Sequence, residues 1–342
     1  MKKEFKLKEI VKLASNENPI GPSKKVIEKI KKVANEVNRY PDSNYTKLNQ
    51  FLSKFWKIQI NNIVLGSGVD EIIELLAKAY LEKEDNIVVS KYAFIRYKMA
   101  GWLMGCKIRE IKVKDFKHDL KNMAIKSDQK TKLIFIANPN NPTGTYNTKE
   151  EFEEFWKIYK KKRLNTIVVV DEAYAEYVKE RDYPRTINYV KKGYPLIFLR
   201  TLSKAYGLAG LRVGYGIGRK DIIDPLERIR PPFNLTRISH EAGIEALKDR
   251  THLEYVVNYT IRERGFLEKE LKKLNIFFIP SKTNFILIKV GNGKKCFEYL
   301  LRKGVIVRSM DEYDLPEYIR VSIGKREENK KFIKYIKKWF KK

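Results

Sequence analysis

The sequence predicts an α/β protein with a mainly parallel sheet sandwiched by helices, together with a smaller α+β domain. Apolar strands alternate with helical segments through the first two thirds of the chain, and this alternation is typical of a parallel sheet covered on both faces. After about residue 245 the pattern changes to a long polar helix near 250–273, further strands and an amphipathic C-terminal helix. The predicted strands lie at 86–90, 107–112, 132–136, 166–170, 195–199, 211–217, 284–290, 304–308 and 317–323.

The chain length also indicates two domains. At 342 residues the chain exceeds the usual size of one domain. We expect a large domain at 35–245, and a small domain formed by 1–34 and 246–342 in which the N-terminal arm packs with the C-terminal part. No repeat or low-complexity linker interrupts this pattern.

Polar side chains follow two of the predicted parallel strands. The strand at 132–136 runs into a turn rich in Asn, Pro and Gly that contains Asn141. The strand at 166–170 ends in Asp171, and Tyr174 follows three residues later. Open α/β sheets bind their ligands at the carboxyl ends of the strands. Each residue alone has an ordinary explanation as a helix cap or a turn, but their order along the chain favours a common site.

The segment FLRTLSKAYGLAGLRVGYGIG at 198–218 places Lys204 directly after Ser203 and before Arg212. A lysine in a strand-to-helix turn forms an imine with an aldehyde when its surroundings keep it deprotonated. This chemistry is typical of pyridoxal phosphate, which also takes an acidic partner at its pyridine nitrogen. Hydroxyl and guanidinium groups suit phosphate oxygens, so Ser203 and Arg212 are candidate ligands, and Asp171 is the candidate acid.

Further donors to the same phosphate group are predicted at the motif GSGVDE. The backbone amides of Val69 and Asp70, after Gly68, open a helix with apolar periodicity. The N-terminus of a helix attracts anions because its first N–H groups lack intrahelical partners. A Gly-Ser-Gly turn alone is weak evidence, since most such turns bind nothing.

Motifs along nearly the whole chain resemble the fold-type I pyridoxal-phosphate aminotransferases, and within them the histidinol-phosphate aminotransferase family. The superfamily is indicated by the lysine, aspartate and arginine described above. The narrower resemblance rests on SNENP, RYPD, AFIRY, HDL and the paired arginines near the C-terminus. The longer matching segments are LASNENPIGPS at 13–23, RYPD at 39–42, GSGVDEIIELLAKAY at 66–80 and YIRVSIGKREEN at 318–329.

The resemblance implies a role for each residue that matches a family motif. Lys204 is implied to be the lysine that forms the Schiff base, and Asp171 the partner of the pyridine nitrogen. Asn141 and Tyr174 are implied to meet the phenolic oxygen of the cofactor, and Phe94 to stack on its ring. The implied phosphate-binding groups are Gly68, Val69, Asp70, Ser203, Arg212 and, across the interface of a homodimer, Tyr40.

The resemblance also implies residues that bind the substrates. Arg320 lies in the apolar strand YIRVSIG, where an unpaired charge is costly, and is implied to bind the α-carboxylate of the amino donor. Arg308 is implied to bind a substrate phosphate, although a strand-end salt bridge is an equal alternative. Asn16 and Asn284 are expected to line the cleft.

The implied reaction exchanges an amino group between glutamate and imidazole acetol phosphate and forms L-histidinol phosphate in histidine biosynthesis. Two related activities stay open, those of a threonine-phosphate decarboxylase and of an aromatic or other aminotransferase of the same group. A regulatory or nucleic-acid-binding relative is a third alternative. The intact lysine, aspartate and arginine set argues against that third class.

Composition excludes several other classes of protein. The net charge of +29 suggests a nucleic-acid binder, but the lysines alternate with glutamates on helical faces, so we expect a solvated surface and no nucleic-acid partner. No apolar run is long enough to span a bilayer or to act as a signal peptide, so we expect a cytoplasmic protein. Two cysteines indicate reduced thiols, and the three histidines form no metal-binding pattern. We expect no metal.

Overall fold

The computed structural model describes residues 9–341, so residues 1–8 of the predicted N-terminal arm and residue 342 lie outside the described part. The strands, in chain order, are β1 (Val11–Lys12), β2 (Ile63–Ser67), β3 (Asn86–Ser90), β4 (Lys107–Ile111), β5 (Thr131–Ala137), β6 (Ile167–Asp171), β7 (Leu196–Thr201), β8 (Val213–Gly218), β9 (Phe278–Ile279), β10 (Phe285–Lys289), β11 (Val305–Ile306), β12 (Arg308–Ser309) and β13 (Tyr318–Ser322). The α-helices are α1 (Lys24–Val33), α2 (Thr46–Trp56), α3 (Val69–Tyr80), α4 (Ile95–Leu103), α5 (Leu120–Lys126), α6 (Lys149–Lys161), α7 (Thr186–Lys191), α8 (Lys220–Ile229), α9 (Arg237–Lys248), α10 (Arg250–Lys273), α11 (Gly293–Arg302) and α12 (Arg326–Trp339).

The central sheet has seven strands in the order β2-β8-β7-β6-β5-β3-β4. The strands from β7 to β4 pair in parallel, whereas β8 runs antiparallel to both β7 and β2. The prediction of a mainly parallel α/β sheet is therefore confirmed. The carboxyl ends of β5, β6 and β7 lie side by side at one edge, which brings Asn141, Asp171 and Lys204 into the same neighbourhood.

Both faces of this sheet are buried under helices. In β5, Ile134 and Ile136 pack into one apolar cluster, and Leu133 and Phe135 pack into a second cluster on the opposite face. Successive side chains of a strand point to opposite faces, so a strand covered on both sides must be apolar throughout. This is why the central strands read as continuous apolar runs rather than as alternating patterns.

A second, antiparallel sheet follows in the order β12-β13-β10-β9. Its core also includes residues from the N-terminal arm, since Val11 and Leu13 pack into the same apolar cluster as α11 and α12 residues. The arm is tied in by pairing of β1 with β11 and by donation from the Ser322 amide to the Leu13 carbonyl (2.9 Å). The domain boundaries at 35–245 and at 1–34 with 246–342 stay a prediction.

Three local features differ from the expectations. The strand β2 was not predicted, because its sequence is short and includes a glycine beside a Gly-Ser-Gly turn. The predicted strand at 304–308 is two strands, of which β11 pairs with β1 and β12 pairs with β13. Lys204 does not precede an α-helix: the chain between β7 and β8 turns back through Gly207 at a φ of 73° and a short 3-10 helix at Ala209–Leu211.

No helix within residues 9–341 is both long and apolar enough to cross a membrane. The predicted reduced state of the cysteines agrees with the structure, in which Cys106 and Cys296 are both free and buried. Over the same described range, no group of three or more His, Cys, Asp or Glu side chains is arranged to hold a metal ion.

Candidate active site

A cleft of about 340 Å³ lies at the carboxyl ends of the parallel strands, and β12 and β13 form its other wall. It brings together most of the residues that the sequence analysis singled out. Those lining it are Asn16, Val69, Asp70, Phe94, Asn141, Asp171, Tyr174, Ser203, Lys204, Arg212, Arg308 and Arg320. Asn16 and Arg320, which are 304 positions apart (320 − 16), therefore meet in one space with residues from the carboxyl ends of the parallel strands.

Asp171 is the last residue of β6 and is almost fully buried. Its Oδ2 accepts a hydrogen bond from the Tyr97 hydroxyl (2.7 Å), and its Oδ1 accepts from the Ala173 amide (3.0 Å). Burial raises the pKa of the Asp171 carboxyl to about 6, although both hydrogen bonds oppose that rise. The two hydrogen bonds hold the Asp171 carboxylate in place, and its raised pKa makes it a stronger base than an ordinary aspartate. Such a carboxylate suits an ion pair with a protonated ring nitrogen.

Lys204 reaches into the cleft from the turn after β7. Its Nζ donates to the Ser15 carbonyl (3.2 Å) and lies 5.8 Å from the centre of the Tyr174 ring. Burial, together with the positive charges of Arg320 and Arg212, lowers the pKa of the Lys204 amine to about 8. A usable fraction of the amine is therefore neutral near neutral pH, as a nucleophilic lysine requires.

The N-terminus of α3 and the guanidinium of Arg212 form one end of the cleft. Arg212 donates through Nη1 to the Ser203 hydroxyl (3.3 Å) and through Nη2 to Asp70 (3.2 Å). Gly68 precedes α3 at a φ of 78°, and a Cβ added there would lie 2.5 Å from Arg212 Nη2. This end therefore combines free helix amides, a hydroxyl and a guanidinium, which together suit a phosphate group.

Asn141 and Tyr174 lie in the part of the cleft near Arg320. The Asn141 Oδ1 accepts a hydrogen bond from Arg320 Nη1, and the Tyr174 hydroxyl accepts from Asn16 Nδ2 (3.0 Å). Burial raises the pKa of Tyr174, so its hydroxyl stays protonated over the physiological range. Phe94 lines the cleft from the position before α4, where its ring packs edge-on against Tyr97.

The opposite wall presents two arginines. Arg320 is only 4% exposed, and its Nη2 donates to the Ala14 carbonyl (2.8 Å) while its Nε has no hydrogen-bond partner in the described part of the chain. Arg308 faces the same cleft but is half-exposed, and its Nη2 donates to Glu312 (2.6 Å). Arg308 therefore makes the salt bridge that was considered as the alternative, and because it also lines the cleft its role toward a substrate phosphate stays a prediction.

Comparison with known proteins agrees with this geometry. The family model for class I and II aminotransferases matches residues 8–336. The chain belongs to this aminotransferase family. It is 41% identical to a histidinol-phosphate aminotransferase of Akkermansia muciniphila over 96% of this chain and 90% of that protein, and 39% identical to one of Caldicellulosiruptor saccharolyticus over 98% and 94%.

The fold also matches solved structures. A crystal structure of histidinol-phosphate aminotransferase from Sinorhizobium meliloti in complex with pyridoxal-5'-phosphate superposes with a TM-score of 0.91 at 24% identity, covering 99% of this chain and 93% of that one. At that identity the likeness establishes the fold alone. The expectation of a fold-type I architecture is confirmed.

Three of the expected residues do not line the cleft of this aminotransferase. Tyr40 is 78% exposed and stacks on Phe233, with ring centres 4.6 Å apart. Asn284 is fully buried behind the cleft, where its Nδ2 donates to the Asn16 carbonyl (2.9 Å). Gly68 lies just behind the N-terminus of α3. The structure thus gives Asn284 a contact with another site residue rather than a surface toward the cleft.

Several residues that the sequence analysis did not consider also line the aminotransferase cleft, among them Tyr97, Thr201, Arg96 and Tyr313. Tyr97 is the most consequential, because it donates to Asp171. It lies in the AFIRY motif, three positions after Phe94, and this closeness in sequence to an expected site residue was a usable signal. Tyr313 had no such signal, since it ends a short 3-10 helix at Asp311–Tyr313 between β12 and β13.

Proposed function

We propose that this aminotransferase uses pyridoxal phosphate to exchange an amino group between glutamate and imidazole acetol phosphate, forming L-histidinol phosphate. The observation that carries the proposal is Arg320. It is a buried guanidinium in the same cleft as Lys204, and no described carboxylate lies within 4.0 Å of it. A buried cation without a counter-ion is costly, so the cleft requires an anionic ligand at this point.

The residues present fit the cofactor. The N-terminus of α3, Ser203 and Arg212 would hold its phosphate, and the close approach of Arg212 to Gly68 leaves room for no side chain at that position. Asp171 would hold the pyridine nitrogen, and Tyr174 and Asn141 the phenolic oxygen. When bound, pyridoxal phosphate supplies an aldehyde for the lysine amine and a protonated ring that withdraws electrons from the α-carbon of the substrate.

Lys204 is the proposed proton carrier. Its Nζ is the only described lysine nitrogen among the groups that line the cleft, and its pKa of about 8 lies close to neutral pH. A group with such a pKa both accepts and returns a proton efficiently. We assign it the transfer of a proton from the α-carbon of the amino donor and the reverse transfer to the acceptor.

The two arginines provide the proposed substrate specificity. Arg320 would grip the α-carboxylate of glutamate through its planar fork, because Nη1 and Nη2 are already oriented by Asn141 and Ala14. Arg308 would bind the phosphate of the acceptor. The relatives at about 40% identity are named histidinol-phosphate aminotransferases, which supports histidinol phosphate as the phosphorylated member of the pair.

We further propose a homodimer in the cytoplasm. Tyr40 and Phe233 form an exposed aromatic pair, and Tyr40 would reach the cofactor phosphate of a second copy from there. The two free cysteines support a reducing compartment.

Amino transfer to a panel of acceptors tests the proposal. The purified protein with pyridoxal phosphate and glutamate should turn over imidazole acetol phosphate far faster than unphosphorylated keto acids. Lys204→Ala should abolish both turnover and the absorbance band of the imine between the lysine and the cofactor. Release of carbon dioxide from threonine phosphate without a keto acceptor would identify a decarboxylase instead, and equal use of unphosphorylated aromatic acceptors would identify a broader aminotransferase.

A further inference from the structure

The N-terminal arm contacts three side chains of the cleft through three consecutive residues. The Ala14 carbonyl accepts from Arg320, the Ser15 carbonyl accepts from Lys204, and Asn16 Nδ2 donates to the Tyr174 hydroxyl. Asn16 adopts a left-handed conformation with a φ of 55°, which asparagine tolerates better than most residues.

Asn16 is fixed from the side of β13. Its amide donates to Ser322 Oγ (2.8 Å), and the Ser322 hydroxyl donates to Asn16 Oδ1 (3.0 Å). Asn284 Nδ2 also donates to the Asn16 carbonyl. These contacts bury the whole residue, which is 1% exposed.

The Ser322 contact determines which way the Asn16 amide points. If the amide were reversed, Nδ2 would face Ser322 and the hydroxyl proton of Ser322 would lose its acceptor. Within residues 9–341 Ser322 Oγ donates only to Asn16 Oδ1. A buried hydroxyl left without an acceptor is unfavourable, so the orientation with Nδ2 toward Tyr174 is preferred.

This orientation fixes the polarity of the Tyr174 hydroxyl. Because Nδ2 can only donate, the Tyr174 oxygen acts as acceptor and its own proton must point elsewhere. No described residue accepts that proton, and Tyr174 lines the cleft. Among the charged groups around it, Arg320 favours negative charge on the hydroxyl, whereas Asp171 and Asp70 oppose it.

We propose that Ser322 and Asn16 are positioning residues that make Tyr174 a hydrogen-bond donor toward the cleft. A phenolic oxygen placed there needs such a donor, whereas a reversed hydroxyl would present a lone pair and repel it. The inference rests on the proposed use of pyridoxal phosphate and extends it to two residues outside the catalytic set.

Asn16→Asp tests the polarity with little change in shape. A carboxylate at this position accepts the proton of Tyr174 and removes the donor from the cleft. The pH at the midpoint of the absorbance change of the bound cofactor should then rise by about one unit, as expected when one hydrogen bond to the anionic oxygen is lost. Tyr174→Phe should produce a similar rise.

The control for added charge is Asn18→Asp, on the same arm. Asn18 Nδ2 donates to the Ala205 carbonyl (3.0 Å) and does not contact Tyr174, so the midpoint should stay within a few tenths of a unit of the parent value. The double variant of Asn16→Asp and Tyr174→Phe distinguishes an effect that acts through the Tyr174 hydroxyl from a direct effect of the added negative charge on the cofactor. If Asn16 acts through Tyr174, the double variant should shift little more than Tyr174→Phe alone. Fully additive shifts would overturn the proposal.

Ser322→Ala is a second test that adds no charge. It also tests the proposal if Asn16→Asp does not fold. Without the Ser322 hydroxyl the amide is free to reverse, so the midpoint should rise to a value between those of the parent and Tyr174→Phe. An unchanged midpoint would overturn the role of Ser322. If the parent protein shows no visible cofactor band at all, the proposed function fails, whereas a normal band that Asn16→Asp leaves unshifted refutes only the positioning role.

Discussion

Arg308 and Arg320 lie directly opposite each other on β12 and β13, as paired residues of an antiparallel register. Like charges in this arrangement destabilise a sheet unless other groups compensate. Glu312 pairs with Arg308, but no described carboxylate lies within 4.0 Å of Arg320, which is the more buried of the two. This wall of the cleft therefore carries an excess of positive charge, which the carboxylate of glutamate and the phosphate of the acceptor would neutralise in turn.

Arg320→Lys should weaken the use of glutamate. Lysine keeps the positive charge but loses the planar fork that can bind both oxygens of a carboxylate. We expect kcat/KM for glutamate to fall roughly 10- to 100-fold, which corresponds to ~1.5–3 kcal/mol. Arg264→Lys is the matched control, because Arg264 is also buried and donates to a carbonyl, that of Thr283, away from the cleft. An equal loss in both variants would indicate a general effect on folding.

Arg308→Gln should alter the preference between acceptors. Loss of the guanidinium should lower kcat/KM for the phosphorylated acceptor roughly tenfold or more, with little change for an unphosphorylated keto acid. Glu312→Gln keeps Arg308 and removes its partner carboxylate, so it should retain or increase the preference for phosphate. If Arg308→Gln leaves the ratio of the two acceptors unchanged, Arg308 serves only the salt bridge.

The rate at which the cofactor-free protein takes up pyridoxal phosphate should depend on pH through Lys204. Its pKa is lowered to about 8, so the neutral amine increases about tenfold per pH unit below that value and is nearly constant above it. The rate is measured from the absorbance change and divided by that of a free lysine derivative under the same conditions. This ratio should be constant below about pH 8 and fall about tenfold per pH unit above it, because only the ordinary amine still gains neutral form there. A relative rate without a break in that region would contradict a lowered pKa.

Three predicted site residues that the structure brings together share one property. Asp171 ends an apolar strand, Asn141 and Lys204 each follow one within a few positions, and parallel strands bring their carboxyl ends to one edge. Local pattern and topology together were enough to bring these residues to one site. The same reasoning predicted the helix α10 with the bounds that it has in the structure.

The sequence did not reveal contacts that depend on distant packing. Tyr97 meets Asp171 across 74 positions, and Asn16 meets Tyr174 across 158. Neither distance carries a periodic signal, because each depends on how separate elements dock. The pairing of Arg308 with Arg320 across β12 and β13 was also not visible in the sequence. It depends on the register of the two strands, since a shift of one residue would send the two side chains to different faces.

Gly68→Ala should weaken cofactor binding more than backbone strain alone explains. Gly68 has a φ of 78°, which is unfavourable for alanine, and the added Cβ would lie 2.5 Å from Arg212 Nη2. Arg212 would have to move away from Ser203 and from the helix N-terminus, where the phosphate is proposed to bind. We expect the dissociation constant of pyridoxal phosphate, measured by absorbance titration, to increase at least roughly tenfold.

Gly193→Ala is the matched control, because Gly193 has a similar φ of 76° but no atom within 4 Å of an added Cβ. The control carries a positive-φ penalty without the clash, about 1–2 kcal/mol of stability, and should leave the dissociation constant unchanged. Equal affinities in the two variants would mean that Arg212 does not hold the phosphate.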